Sequence, residues 1–410
     1  MKKEFFPELL APAGDFEKLE IALEYGADAV YAAGKNFSLR QFSKNFDDEQ
    51  LLKAIDFVHK KKKKIFITVN SYPRNQDIDK IEQFLKKFNG KPDAFIISDP
   101  GIVFMAKDVA SNTKIHISTQ ANTTNYNTIK FWESFGNVNR VNLARELTKD
   151  EIITIREKTD MELEIFTHGA VCMSYSGRCF LSMYLNGRDA NRGECTQPCR
   201  WEYFISEKKR DEEVFSIKQD SKGTYFFNSK DLSLLEHIPD ILKIGINSLK
   251  LEGRTKNINY LATVVSVYRE AIDSWLENPD KWQLKKEWIE ELGRISHRNY
   301  STGFFPGKQE EALTEINHSY NRKYHFAALS LEKERYADYW KIKIFPKNTV
   351  YKGEKVVYLS PNHKKDELIV EEILDINGNN VEKSHPGKTF YWIVKNEILP
   401  NTIFRIENLK

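Results

Sequence analysis

From residue 8 to about 170, short apolar runs alternate with amphipathic stretches. The runs Glu8–Ala11, Asp28–Ala32, Ile65–Asn70, Asp93–Asp99, Lys114–Thr119, Arg140–Ala144 and Glu162–Thr167 have the length and side-chain character of strands. Between them, Phe16–Tyr25, Asp48–Lys61, Asp77–Phe88, Gly101–Ala110 and Lys149–Lys158 repeat apolar residues at helical spacing. This alternation predicts parallel strands joined by crossover helices. Ile65-Phe66-Ile67-Thr68-Val69 is apolar almost throughout, as a strand covered on both faces should be. Seven such units exceed most open doubly wound sheets, and none opens with G-x-G-x-x-G. A closed α/β fold, the (β/α)8 TIM-like barrel, fits better. Its last strand is expected at Ser248–Glu252, followed by a helix over Ile258–Trp275; Phe226–Leu232 is an extra strand or an excursion.

Beyond Trp275 the pattern changes. A connecting region covers about 279–323, and short alternating strands follow at Phe326–Leu331, Tyr339–Phe345, Lys355–Leu359, Glu367–Leu374, Phe390–Val394 and Ile403–Ile406. Asn377-Gly378-Asn379 and His385-Pro386-Gly387 supply turns between them. The expected organisation is a barrel over 1–278 with a cysteine-rich insert at about 168–223, then a small antiparallel β-barrel domain over 324–410.

Barrel enzymes keep their chemistry where the strands end. The residues falling there are Asn70, Asp99, Gln120, Arg145, His168, Lys230, Asp231, Glu252 and Arg254. Composition narrows the class without naming a function. With 410 residues, 40% hydrophobic and 30% charged, the chain reads as globular rather than disordered. A net charge of +3 permits a nucleic-acid partner without pointing to one. No apolar run approaches the ~20 residues of a membrane span, and acids and a proline interrupt the first eight residues. A cytoplasmic protein is the expectation.

The four cysteines, Cys172, Cys179, Cys195 and Cys199, all lie in one segment, spaced C-x6-C-x15-C-x3-C. Structural zinc usually pairs its ligands more closely than the first two are paired. An iron–sulfur cluster accepts four cysteines at wider spacing. Spacing leaves a cluster, zinc and unligated redox thiols all open. Arg178, Arg188, Arg192 and Arg200, with Tyr175, Tyr184, Trp201 and Tyr203, lie in and just after this segment. They suit either a packed, salt-bridged insert or a surface that stacks unpaired bases and pairs phosphates. Neither H-E-x-x-H nor G-x-S-x-G occurs, so metallopeptidase and serine-hydrolase chemistry have no motif to stand on.

Several longer stretches carry a resemblance. Glu8-Leu9-Leu10-Ala11-Pro12-Ala13-Gly14-Asp15, His168-Gly169-Ala170-Val171-Cys172, Tyr175-Ser176-Gly177-Arg178-Cys179, Cys195-Thr196-Gln197-Pro198-Cys199-Arg200-Trp201 and Leu249-Lys250-Leu251-Glu252-Gly253-Arg254 resemble the collagenase-like peptidase family of unknown catalytic type. Ser296-His297-Arg298-Asn299-Tyr300-Ser301-Thr302-Gly303-Phe304 also fits, and the likeness extends into the β domain. It is strongest to the branch of that family that hydroxylates tRNA. The resemblance implies oxygen-independent formation of 5-hydroxyuridine at the wobble position, with prephenate as hydroxyl donor. It also implies a [4Fe-4S] cluster on Cys172, Cys179, Cys195 and Cys199. His168, Glu252, Lys250 and Arg254 are then the candidate catalytic residues: His168 can exchange a proton near neutral pH, and Arg254 or Lys250 can hold a carboxylate. Expected partners are tRNA and prephenate, with a paralogous family member as a further candidate. The competing reading is a binding or assembly subunit whose metal is structural.

Overall fold

The computed structural model describes residues 6–39, 44–201, 219–220, 223–224, 229–307 and 321–408. Along the chain the first elements are β1 (Glu8–Pro12), α1 (Phe16–Glu24), β2 (Ala29–Ala33), α2 (Asp48–Lys60), β3 (Lys64–Val69) and α3 (Ile78–Phe88). They continue with β4 (Ala94–Ile97), α4 (Pro100–Val109), β5 (Lys114–Ile117), α5 (Tyr126–Glu133), β6 (Val138–Asn142), α6 (Lys149–Arg156), β7 (Glu162–Ala170) and α7 (Leu181–Asn186). A two-residue antiparallel pair, β8 (Gln219–Asp220) with β9 (Gly223–Thr224), precedes β10 (Asp231–Ser233), α8 (Ile238–Ile244), β11 (Ser248–Leu251), α9 (Ile258–Glu277), α10 (Lys286–Leu292) and β12 (Tyr300–Ser301).

β1 to β7 pair in parallel, each with the next, and β11 pairs in parallel with both β7 and β1. Eight parallel strands therefore close a TIM-like barrel. The ambiguous run near Phe226–Leu232 is resolved where it is described: β10 adds antiparallel to β7 outside the closed ring and carries β12 on its far side. Phe226 itself lies outside the described residues, as does Tyr203.

Local chemistry explains the helix starts. Asp47 and Gln50 form a reciprocal capping box on α2, and Thr148 with Glu151 does the same for α6. Asp99 accepts from the Ile102 N–H with Pro100 as first helical residue. α5 has no counterpart among the expected helices. Its eight residues include Tyr, Thr, Ile, Phe and Trp, weak helix formers, and it is held by the buried Ile129 and Trp132.

The described residues fall into two compact units, one within 1–19, 28–255 and 298–319, the other within 20–27, 256–297 and 320–410. The first holds all eight barrel strands. The second holds the helix that follows the last barrel strand together with the carboxyl-terminal sheet. There, β13 (Tyr324–Tyr336), β14 (Tyr339–Pro346), β16 (Lys355–Leu359), β17 (Lys365–Ile369), β18 (Glu372–Leu374), β20 (Phe390–Val394) and β21 (Ile403–Glu407) form a curled antiparallel sheet, ordered β17-β16-β21-β13-β14-β20-β18. β15 (Val350–Tyr351) and β19 (Lys383–Ser384) pair separately. Trp392, Tyr358, Phe404, Ile344 and Val356 belong to its single core.

Buried polar bonds tie this sheet to the helices of its own unit. The Arg405 guanidinium donates to Asn259 Oδ1 at 2.6 Å, Glu291 Oε1 at 2.5 Å and Thr263 Oγ1 at 2.5 Å. Burial would raise the Glu291 carboxyl, but Arg405 and Arg294 outweigh it and hold it below the usual range. No described helix is long and apolar enough to cross a membrane.

Candidate active site at the barrel mouth

Successive strand residues face opposite ways, so alternate positions point into the barrel. Leu10, Ala29, Tyr31, Phe66, Ala94 and Ile96 form an apolar cluster inside. Around it the interior is charged, which the apolar look of the strands conceals. Arg140 Nη1 lies 2.5 Å from Glu8 Oε1 and 3.4 Å from Glu164 Oε2, and Nη2 lies 2.7 Å from Glu162 Oε2. Glu164 Oε1 also accepts from Lys250 Nζ and Asn142 Nδ2, each at 2.8 Å. Burial would raise the Glu8 carboxyl, yet Arg140 and Lys64 overcome it and keep the group ionised below its normal range. Burial, then Arg140 and Lys250, push His116 far below the ordinary imidazole value, so it is neutral.

Above this network, at the carboxyl ends of the strands, opens a recess with about 780 Å³ of empty space, its open mouth included. Asn70, Gln120, Arg145, His168, Cys172, Lys250, Glu252 and Arg254 all line it, together with Tyr31, Thr68, Ser118 and Asn142. The mouth residues expected from sequence thus converge, with three exceptions. Asp99 spends its carboxylate capping α4. Asp231 is buried against Arg298, Oδ1 to Nη2 2.6 Å, and Lys230 beside it is half-buried; neither is part of the wall.

The candidate catalytic residues differ in what they already hold. Glu252 Oε2 accepts from Tyr31 Oη at 2.9 Å. Arg254 Nη2 donates to the buried Ser38 Oγ at 2.7 Å. Lys250 belongs to the Glu164 network beneath the recess. The His168 ring is buried 5.3 Å from that of Tyr300. Gly169, at φ +111°, brings β7 against β11 so closely that a Cβ would fall 2.3 Å from Glu252 O.

The cysteine segment leaves β7 at Ala170 and folds over one side of the mouth. Gly177, at φ +74°, sits where a Cβ would be 2.1 Å from Gln120 O. Arg178 Nη1 donates to Tyr72 Oη at 2.7 Å, and Arg192 Nη1 to Asp77 Oδ2 at 2.9 Å. These two arginines therefore dock the segment, while Tyr175, Phe180, Tyr184 and Trp201 stand exposed around it. None of the four cysteines is in a disulfide, and Cys172 shares the recess. Among the described residues, no three His, Cys, Asp or Glu side chains gather closely enough to hold a single metal ion. The donor chemistry, four reduced thiols with the Gln197 N–H 3.4 Å from Cys195 Sγ, suits a four-thiolate cluster.

Sequence reasoning missed Arg140, Asn142, Glu164, Glu146 and Ser176. For Arg140 and Glu164 a signal existed, since a charge inside a buried strand must find a partner. Ser176 lies inside the motif Tyr175-Ser176-Gly177-Arg178-Cys179, but nothing local to that stretch pairs it with Arg145.

A closed barrel with a polar recess at its strand ends and a four-cysteine flap beside it defines the class of protein. The chain belongs to Peptidase family U32: that family's model matches residues 14–315, and the Peptidase family U32 C-terminal domain matches residues 322–405. It is 38% identical over 404 residues to the tRNA hydroxylation protein P1 of Bacillus subtilis (strain 168), covering 97% of this chain and 94% of the relative. It is also 38% identical to the tRNA hydroxylation protein P of Escherichia coli (strain K12), covering 77% and 78%. A further relative, 32% identical, is the tRNA hydroxylation protein P2 of Bacillus subtilis (strain 168), covering 74% of this chain and 98% of the relative.

Proposed function

We propose that this chain is a cytoplasmic tRNA-modifying enzyme that hydroxylates the wobble uridine to 5-hydroxyuridine without molecular oxygen. Prephenate supplies the hydroxyl group and a [4Fe-4S] cluster is required. The observation that carries the reading is the position of Cys172, which lines the same recess as His168, Glu252 and Arg254. Cys172, Cys179, Cys195 and Cys199 hold the cluster. When bound, it supplies redox and Lewis-acid chemistry at the mouth. His168 holds or releases a proton at its imidazole, Glu252 is oriented by Tyr31, and Arg254 places positive charge opposite an anionic ligand. Lys250 adds charge from below through its pair with Glu164. The exposed rings of Tyr175, Phe180, Tyr184 and Trp201 offer stacking faces to unpaired anticodon-loop bases. A paralogous family member is a candidate partner.

The test is genetic and chemical together. Deleting the gene should remove 5-hydroxyuridine from the tRNA nucleosides seen by mass spectrometry. Wild type should restore it, and Cys195→Ser should not. Anaerobically purified protein should contain iron and sulfide; one zinc and no sulfide would sink the cluster. An unchanged 5-hydroxyuridine level in the deletion strain would sink the hydroxylase.

A further inference from the structure

We infer that the mouth recess binds a small carboxylate through Arg145, and that Asn142 accepts a hydrogen bond from a hydroxyl of the same ligand. This deepens the reading above by assigning ligand-facing residues to its recess.

Arg145 follows β6 and is half-buried. Its Nε donates to Ser176 Oγ at 3.0 Å, the single hydrogen bond of its guanidinium among the described residues. Ser176 is itself clamped, its N–H 2.6 Å from Glu146 Oε1 and its Oγ 3.2 Å from both Glu146 oxygens. One edge of the guanidinium is thus held, and the terminal nitrogens have no described protein acceptor. A fork pinned at Nε and open at its end is pre-organised for bidentate contact with a carboxylate. Arg254 is less suited, because Nη2 already donates to Ser38. Lys250 is less suited too, because Glu164 neutralises it.

Asn142 carries the second half. It is 2% exposed and lines the recess. Its amide must turn the NH2 toward Glu164, since a carboxylate that also receives Lys250 can only accept. That leaves Oδ1 buried and without a hydrogen-bond partner. Buried acceptors are nearly always satisfied, so an exception beside an open recess calls for a ligand donor. Ser118, Asn70 and Gln120 complete a polar wall.

The experiment is isothermal titration calorimetry on the full, anaerobically purified chain. The probes are prephenate, cyclohexanecarboxylate and cis-4-hydroxycyclohexanecarboxylate, the last two differing by one hydroxyl. Wild type should bind all three and prefer the hydroxylated member of the pair. Arg145→Ala should weaken all three by roughly ten- to a hundredfold, as loss of a charge-assisted bidentate contact does. Arg145→Lys should recover only part, and near-isosteric Arg145→Gln serves if the alanine variant melts early. Asn142→Ala should erase the preference for the hydroxyl. Failure of wild type to bind any probe overturns the inference, whatever its action on tRNA. Binding of the cyclohexane acids but not prephenate upholds the site and removes prephenate from the proposed function. Prephenate binding untouched by Arg145→Ala and Arg145→Gln leaves that function standing and removes Arg145.

Discussion

Arg140, within β6, and Arg145, just beyond it, meet opposite fates. Arg140 is buried among Glu8, Glu162 and Glu164, every one within ion-pair distance. Arg145 makes one guanidinium hydrogen bond among the described residues, to a serine hydroxyl, and lines the recess. The barrel interior is a closed electrostatic circuit, whereas the mouth leaves charge and hydrogen-bonding capacity uncommitted. A charge with its partners in place holds the fold together. A charge held in position without a counter-ion is ready for a ligand. Depth along the same barrel, not residue type, separates the two.

The sharpest way to break this contrast is Arg140→Met. It leaves Glu8 with Lys64 and Glu164 with Lys250 as their remaining cations, and removing one partner of a buried network of this kind costs on the order of 3–5 kcal/mol. Urea unfolding should show that loss; a change below about 1 kcal/mol would mean the circuit does not hold the barrel. Arg405→Met tests the parallel network in the second unit and should fall in the same range, since Glu291 there keeps only Arg294.

Gly177→Ala should come next. It forces a side chain into a left-handed conformation and against Gln120 O, at a cost of roughly 1–3 kcal/mol. Because Ser176 is the adjacent residue, ligand affinity should fall with the melting temperature. Intact affinity would detach the flap from the grip on Arg145.

pH separates the interior from the mouth more gently. His116 has a depressed pKa when folded, so it has no effect above its ordinary value of 6.5 and subtracts stability as pH falls below it. Glu8 is also depressed: its contribution is present above 4.5 and is lost as pH falls through the lower folded value. Unfolding free energy should therefore decline below about pH 6.5 and again below about 4.5. His116→Asn should lessen the first decline without abolishing it, because burial also depresses His363, and should leave the second unchanged.

The smallest effect on stability belongs to Arg145→Ala. With one hydrogen bond to lose, it should shift unfolding free energy by no more than about 0.5–1.5 kcal/mol. A loss as large as that of Arg140→Met would place Arg145 among the structural charges and end the contrast.

Much of this was legible beforehand. All eight barrel strands and the convergence of His168, Glu252 and Arg254 follow from spacing and from the side-chain alternation of strands. Other features needed distant parts of the chain. β10 is too short to show from its own residues that it lies outside the ring, because only its antiparallel register with β7 excludes it. Asp99 and Asp231 looked equivalent to Glu252 as strand-end acids until their partners were known.

What the sequence by itself determined is local and periodic: element type, helix starts, and a four-cysteine segment set beside one strand end. Those depend on neighbours within a turn or a pleat, which the chain always carries with it. The tertiary structure decided which charges are committed. Glu8 meets Arg140 and Glu164 meets Lys250 only because the barrel closes, and Ser176 reaches Arg145 only because Gly177 lets the flap press on the mouth. An ion pair or an open guanidinium is a property of distance in space, and barrel closure alone sets that distance.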